Sequence, residues 1–447
     1  MAMLTLSGYI KKIVKALKHE DADQLRDCLT INPANNAGEA RADFAEPNDF
    51  DLYPVPEKFR PVVKCHLKVM TSIYKYKSID TAFTELNEMN SNLIRAAESQ
   101  TNWINSPLMS SLSELIAVYK VRQQKYPEDV SSYQFQDMEI DSFEGGSGNG
   151  PKTSALEQLA ITVNKGFKLS LNDKNLVLSQ SKRNDIYFFL SNLIKIYFKM
   201  NKLELAKSVE KAVKGTRFEL PPMNAKSANK KHLVVYLYYS SLLSLDDGDF
   251  TAAESKLDKA MDLMRYYSQK CARQTNQILL ILLPLKLHNK NQVINSPEFW
   301  KEHPELQLVY RDNLLYSVIH GDIAKFEDCI KKYEVVFLKN HLYLLVLSLK
   351  QQCYLRLVKK TATIYRELCT DPSQAHIVPF SAFQVAFEFS KYGTSEKEQD
   401  VDDRVFGYAQ EEIECILAGL IAKGKIKGYL SNINCCAVLS KTVAFPK

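Results

Sequence analysis

Residues 408–447 read YAQEEIECILAGLIAKGKIKGYLSNINCCAVLSKTVAFPK, and this stretch decides the fold. Ile413, Ile416, Leu417, Leu420 and Ile421 recur at i, i+3, i+4, i+7 and i+8, the stripe of a helix packed on a core. Gly424 falls where a left-handed C-cap belongs, and Lys423 and Lys425 flank it at the negative end of the helix. The period then changes from 3.6 to 2. Ile426, Gly428 and Leu430 alternate with Lys425, Lys427 and Tyr429. After the turn Asn432-Ile433-Asn434, Cys436, Val438 and Ser440 alternate with Ala437 and Leu439. A helix followed by a two-stranded hairpin is the end of a winged-helix module. Beyond Glu414 there is no acidic residue, while Lys423, Lys425, Lys427, Lys441 and Lys447 are basic. A basic wing closing a helical chain points to binding.

Upstream, two helices complete the module. LSLKQQCYLRLVKKTATIYREL (347–368) puts Leu355, Val358, Ala362 and Tyr365 on its inner face. VPFSAFQVAFEFS (378–390) carries Phe383, Val385, Ala386 and Phe389 as apolar positions, and the acidic KYGTSEKEQDVDDR (391–404) reads as a mobile loop. The order is helix, helix, loop, helix, wing.

The 447 residues suffice for two or three domains or one long repeat array. Gly (15) and Pro (16) are scarce, so long periodic segments read as mainly helix. Helices are expected near 4–19, 57–77, 79–97, 106–125, 154–171, 182–200, 202–214, 228–246, 250–267, 272–288, 305–319, 323–333 and 338–369. Several share one pattern: Ile79, Ala82, Leu86, Met89; Phe250, Ala253, Leu257, Ala260; Ile323, Phe326, Ile330, Tyr333. Gly248-Asp249 and Gly321-Asp322 precede the last two as turn and N-cap. Small residues at fixed places let helices approach, as in tetratricopeptide-like arrays, and a helical-hairpin solenoid is expected. Asn32–Pro56 and Tyr126–Lys152 read as acidic linkers, the second ending in a glycine run that no Gly-Lys-Ser/Thr follows. The chain thus divides into 1–152, a helical region with two acidic linkers; 153–345, helical repeats; and 346–447, the winged helix.

The longest apolar runs, Ile278–Leu283 and Leu342–Leu347, are far shorter than the roughly 20 residues of a membrane span, and no membrane association is expected. The N-terminal segment is amphipathic but lacks the core and cleavage site of a signal peptide; acidic residues directly after it argue against a mitochondrial presequence. Nine cysteines without a CxxC spacing read as free thiols in a reducing compartment. None of the eight histidines forms HxH or HExxH, and there is no GxSxG or GxGxxG. No metal, cofactor or catalytic activity is expected.

The net charge of +6 is unevenly spread. Residues 181–232 hold twelve Lys or Arg against four acidic residues, and the rest of the chain outside the wing is net acidic. That run is either a binding site or a solvated helix face. In the winged helix, Arg356, Lys359, Lys360, Lys423, Lys425, Lys427 and Lys441 are the candidate phosphate contacts. Glu411, Glu412 and Glu414 open the recognition helix and repel phosphate, so backbone binding without sequence specificity is favoured over base reading. The wing strand can instead pair edge to edge with another protein, through Tyr429, Leu430, Ser431 and Val438.

The motifs TNWI (101–104), SLNDKN (170–175), LSNLIKIYFKMNKLELAKSVEKA (190–212), LPPMNAKS (220–227), ILLILLPLKL (278–287), LLYSVIHGDIAKFEDCI (314–330), YLRLVKK (354–360), IECILAGLIAKGKIKGYLS (413–431) and LSKTVAFP (439–446) together resemble the PCI-domain proteins of the nuclear mRNA-export and signalosome-subunit-twelve family. Ala444 stands where the family's ending usually has proline. The resemblance implies that residues 153–345 are the helical-repeat part of a PCI domain. It implies a non-catalytic nuclear scaffold, present also in the cytoplasm if the family's range applies. Such a subunit pairs its winged helix with that of a larger PCI-type scaffold and binds a very small acidic proteasome-lid-type subunit. The joined winged helices form a platform for RNA or double-stranded DNA in transcription elongation, mRNA splicing and export. The alternative is an assembly subunit of a signalosome-like deneddylation complex with purely protein–protein roles.

Overall fold

The computed structural model describes residues 5–34, 37–127, 154–223, 230–265, 271–371, 373–392 and 408–446. Residues 128–152 of the expected glycine-ended linker and 393–404 of the expected acidic loop lie outside them. The chain forms two compact units, 1–239 and 240–447.

In the first unit, helices follow one another: α1 (Leu6–Lys18), α2 (Ala22–Leu29), α3 (Ala37–Ala42), α4 (Arg60–Tyr74), α5 (Ile79–Ala97), α6 (Asn105–Lys125), α7 (Ala155–Leu171), α8 (Ile186–Lys199), α9 (Leu203–Gly215) and the first turns of α10 (Lys230–Asp246). Three of the starts carry side-chain caps. Thr5 caps Gly8 N and Asp21 caps Gln24 N, while Ser154 and Glu157 form a reciprocal capping box at α7. Neighbours pack in succession, α4 on α5, α5 on α6 and α7, α8 on α7 and α9, as in a stacked helical-hairpin array. In α5, Ala82, Leu86 and Met89 are fully buried, so the repeat pattern marks the contact face.

The stretch 32–56 is not a linker. It contains α3, and Ala42, Leu52 and Val55 are buried. Arg41 enters the core, giving hydrogen bonds to the carbonyls of Cys28 (2.9 Å) and Asp27 (3.1 Å). Polar composition hides this, because scattered apolar residues and one buried guanidinium do the ordering without a regular apolar period.

The second unit holds the end of α10, then α11 (Phe250–Met264), α12 (Ala272–Lys290), α13 (Pro297–Glu302), the short α14 (Pro304–Leu306), a π-helical stretch (Gln307–Leu315), α15 (Tyr316–His320), α16 (Ile323–Lys339) and α17 (Tyr343–Leu368). The expected caps are present: Asp249 accepts from Ala252 N and Asp322 from Lys325 N, each at 2.9 Å, after left-handed Gly248 and Gly321. The expected helix 338–369 is divided, because His341 takes a left-handed conformation and Asn340 turns its side chain back onto Val336 O. The third repeat also bends at Tyr333.

At Gly321, φ is +70°, and an added Cβ would stand 3.0 Å from Leu357 N on α17. Gly321→Ala should therefore destabilise the second unit by about 2 kcal/mol, from left-handed strain and crowding together. Gly248→Ala, with φ +74° but open space around it, should lose only the strain. Denaturant midpoints of the two variants compare them; equal losses would remove the crowding.

The unit ends in β1 (Ile377–Pro379), α18 (Phe380–Tyr392), α19 (Gln410–Ala422), β2 (Gly428–Ser431) and β3 (Cys436–Leu439). The expected hairpin is a three-stranded antiparallel sheet of order β1-β3-β2. The additional strand β1 pairs Val378 with Ala437.

Candidate partner and nucleic-acid interface

The winged helix is built round Val378, Phe380, Phe383, Phe387, Ile413, Leu417, Leu420, Ile426, Ala437 and Leu439, all buried. Each large apolar side chain so placed contributes roughly 1.5–3 kcal/mol. α19 ends as expected. Gly424 has φ +67°, its N–H bonds Ile421 O (2.8 Å), and Lys425 N–H bonds Leu420 O (2.9 Å), the paired bonds of a Schellman turn. That turn aims the chain into β2.

Two apolar positions on α18 are placed otherwise than expected. Val385 and Phe389 are exposed, while Phe380, Phe383 and Phe387 fill the core.

β3 is central, and Leu439 N–H is spent on His376 O beside β1 (2.8 Å). Its partner across the ladder, Gly428, therefore turns its own backbone groups to the open edge, and by alternation so does Leu430. Of the expected pairing residues, Leu430 supplies edge backbone. Tyr429, 63% exposed, lies on the outer face opposite Val438. Val438 cannot pair edge to edge, because its strand is bonded on both sides; only its side chain reaches the surface, between Tyr429 and Ile377. Ser431 ends β2. Tyr429, Ser431, Val438 and Ile377, together with Tyr365 and His376, line a groove of about 630 Å³ on the outer face. Sequence reasoning missed Ile377 and Gly428. Only a third strand shows which edge stays open.

The ending LSKTVAFP folds back on the wing. Lys427 N–H bonds Ala444 O (2.8 Å), Lys427 O accepts from Ser440 N (2.8 Å), and Ala444 is buried.

The expected cations do not share one face. Lys423 Nζ reaches Gln351 Oε1 near the start of α17, whereas Lys360 Nζ bonds His320 O (2.7 Å). Nine residues separate Gln351 from Lys360, two and a half helical turns, which places them on opposite sides of α17. Arg356, Lys359, Lys425, Lys427 and Lys441 are exposed, and among the described residues no hydrogen bond or ion pair holds their side chains. Glu411 and Glu412 are exposed at the start of α19.

The basic run 181–232 is used differently. Lys182 and Arg183 are buried: Arg183 bonds Ser181 Oγ (3.0 Å) and Asn175 O and covers the Phe218 ring at 4.5 Å. Lys202 pairs with Glu157, Lys207 with Glu204 and Lys214 with Glu210. Burial and the charges of Lys120, Lys199 and Lys231 pull the Lys195 ammonium below its ordinary value. Two of the quoted motifs, TNWI and SLNDKN, make structural bonds here. Ser170 Oγ and Asn105 Nδ2 both donate to Lys182 O, Asp173 accepts from Lys182 N (2.7 Å), and Asn102 bonds Ser179 O (2.6 Å).

Among the described residues no group of three His, Cys, Asp or Glu is placed to hold a metal, and no helix is long and apolar enough to cross a membrane.

Known proteins agree with this architecture. A PCI domain matches residues 330–441, from within α16 to just past β3. A protein of Debaryomyces hansenii called CSN12 homolog is 54% identical over 99% of this chain and 98% of its own length. The chain belongs to the CSN12 family. A CSN12 homolog of Yarrowia lipolytica is 26% identical over 99% of both chains, and PCI domain-containing protein 2 of Danio rerio is 23% identical over 100% of this chain and 98% of its own. Family membership and the domain make the chain a PCI-type complex subunit.

Proposed function

We propose that this CSN12-family chain is a non-catalytic nuclear adaptor whose winged helix is half of a composite interface. The open β2 edge and the groove over Tyr429 and Val438 take a larger PCI-type partner, and a small acidic subunit docks elsewhere on the chain. Lys425, Lys427 and Lys441 on the wing, with Arg356 and Lys359 on α17, form a phosphate-binding edge for RNA or duplex DNA during transcription-coupled mRNA processing and export. One observation carries this reading: Lys425 and Lys427, without counter-charges, directly precede a strand edge that no residue of the described chain pairs. Such charges are retained at a surface where phosphates supply the missing anions. The acidic start of α19 favours backbone contact over base reading.

Changing Lys423, Lys425 and Lys427 to Ala in the assembled complex should weaken nucleic-acid binding. The log–log salt slope for duplex DNA should fall by about 0.9 for each phosphate that is no longer neutralised. Lys425 and Lys427 should carry most of it, since Lys423 is already engaged by Gln351. Unchanged affinity and slope would remove the wing from the platform.

A second reading rests on the name CSN12 borne by relatives and on the groove over Tyr429 and Val438: an assembly subunit of a signalosome-like complex in which the winged helix serves packing alone. Purification of the native complex separates the two. Co-isolation with an isopeptidase subunit supports packing alone; co-isolation with RNA and an export or splicing scaffold supports the adaptor.

A further inference from the structure

The first unit holds a second cationic feature, apart from the wing and bordered by Lys182 of the basic run 181–232. Where α5 packs on α7, a cleft of about 680 Å³ opens, with Ile94 and Leu169 in its wall. Arg95 projects into it from α5, Lys165 and Lys168 from successive turns of α7, and Lys174 from the segment after α7. Its two acidic members do not answer these charges. Asp173 is committed elsewhere, accepting from Ser181 Oγ (2.8 Å) and Lys182 N (2.7 Å). Burial opposes ionisation of Asp173, yet those hydrogen bonds hold its carboxyl below the usual carboxylate range. Glu98 lies beside Lys182, whose Nζ bonds Glu98 O (3.2 Å) and whose charge already faces that carboxylate. Among the described residues no ion pair or hydrogen bond holds the side chains of Arg95, Lys165, Lys168 or Lys174.

The cluster is mutually repulsive. Partial desolvation by the cleft wall, and then the charge of Arg95, pull the Lys165 ammonium below its ordinary value. Folding alone gives no reason to gather these four groups in a concave site; a bound anion does. The chemistry of that anion follows from the geometry. Three cations on two helices converge, and one phosphate brings up to two charges and three acceptor oxygens to share among them, where a carboxylate brings one charge and two. The cleft is of the size that encloses small ligands. No aromatic side chain lines it, so it offers bases no stacking platform. We propose that Arg95, Lys165, Lys168 and Lys174 form a phosphate site that takes a compact ligand bearing several phosphate groups. The source is a free polyphosphorylated small molecule or consecutive phosphates of a single-stranded nucleic acid. The site lies in the first unit and does not depend on the wing.

The test uses the full chain and tripolyphosphate, by calorimetry at low salt of about 50 mM, where such contacts are strongest. Saturable binding is expected, weakened at least about tenfold in Arg95→Gln/Lys165→Gln/Lys168→Gln and unchanged in Lys259→Gln, an exposed lysine of the second unit outside both cationic features. All three cleft positions are exposed, so the melting temperature should not move. A variant that melts early is replaced by Lys168→Gln alone, which should still weaken binding. A short single-stranded RNA that displaces tripolyphosphate, and itself binds less well to the cleft variant, assigns the site to a nucleic-acid backbone. Failure to displace assigns it to a small molecule. Absence of saturable binding, equal affinity in the cleft variant, or equally good displacement by polyglutamate would overturn the phosphate site. The wing variant Lys425→Ala/Lys427→Ala, read on duplex DNA, keeps that failure separate from any failure of the adaptor reading.

Discussion

Gly428→Ala should destabilise the second unit by roughly 3 kcal/mol, at the upper end of what overpacking costs. A Cβ built there would lie 2.3 Å from Val438 O and 3.1 Å from Leu439 Cα, both backbone atoms of the central strand. A flexible side chain could move aside; β3 cannot, since it is bonded to β1 through Leu439 N–H and His376 O. The strain is relieved only if β2 separates from β3. Alanine is otherwise better than glycine in a strand, because it loses less chain entropy on folding, so intrinsic preference does not explain a loss. The consequence reaches function. Lys425 and Lys427 enter the wing immediately before Gly428, and Lys427 is clamped to Ser440 and Ala444. A displaced β2 moves those cations and the open edge together. Denaturant unfolding should show an earlier transition, and partner pairing and nucleic-acid binding should fall together. A variant of wild-type stability would mean that β2 is farther from β3 than the structure places it.

The same few residues show why parts of the molecule are legible in the sequence and others are not. Helix α5 carries its apolar face at regular spacing and follows Ser78, and its expected ends are the ones it has. Gly424 and the Gly-Asp pairs at 248–249 and 321–322 are local signals, legible because left-handed turns and N-caps are set by neighbours in sequence. β1 is three residues long and ends in proline, and it becomes a strand only by meeting β3 about sixty residues away. On α18 two apolar stripes compete, Phe380–Phe383–Phe387 and Val385–Phe389; helical spacing fits both, and packing chooses the first. Charge counts suffer the same limit. Lys182 and Arg183 count as surface charge in a composition window, whereas in the fold they join α6, α7 and the turn 182–185. The candidate cations on α17 are expected as a group, yet the long helix separates Lys360 from the point where Lys423 meets it. What is read from periodicity is which side chains lie on an element, and not where neighbouring elements leave them.

Acidification should destabilise the first unit through His66, with a loss of about 3 kcal/mol between pH 7.5 and pH 4.5. His66 is completely buried, within hydrogen-bonding distance of Tyr9 Oη (2.9 Å at Nδ1) and Thr30 O (3.3 Å at Nε2). Arg41 stands beside this pair, its guanidinium 5.1 Å from the Tyr9 ring centroid, its two terminal nitrogens bonded to backbone carbonyls. Burial, and then the charge of Arg41, push the imidazole down to about 3 from its ordinary 6.5. The unfolded chain therefore binds a proton between those values that the folded chain refuses. The stabilisation is complete above pH 6.5 and is lost as pH falls toward 3, at about 1.4 kcal/mol per pH unit where the slope is steepest. His66→Gln keeps a polar group in place but cannot titrate. It should begin less stable at neutral pH and lose less on acidification. His232, pushed down to about 4 by burial and Lys231, remains in both proteins and leaves a shared residual slope. Unfolding midpoints at the two pH values measure the difference, and the His66 ring resonances should show no protonation at pH 4.5. Parallel losses in both proteins, or a ring that titrates near 6.5, would show that the imidazole is not held neutral in the core. A neutral ring makes the network of Tyr9, Cys28, Arg41 and His66 a device that holds α1, α2, α3 and α4 together only while Arg41 is its single charge.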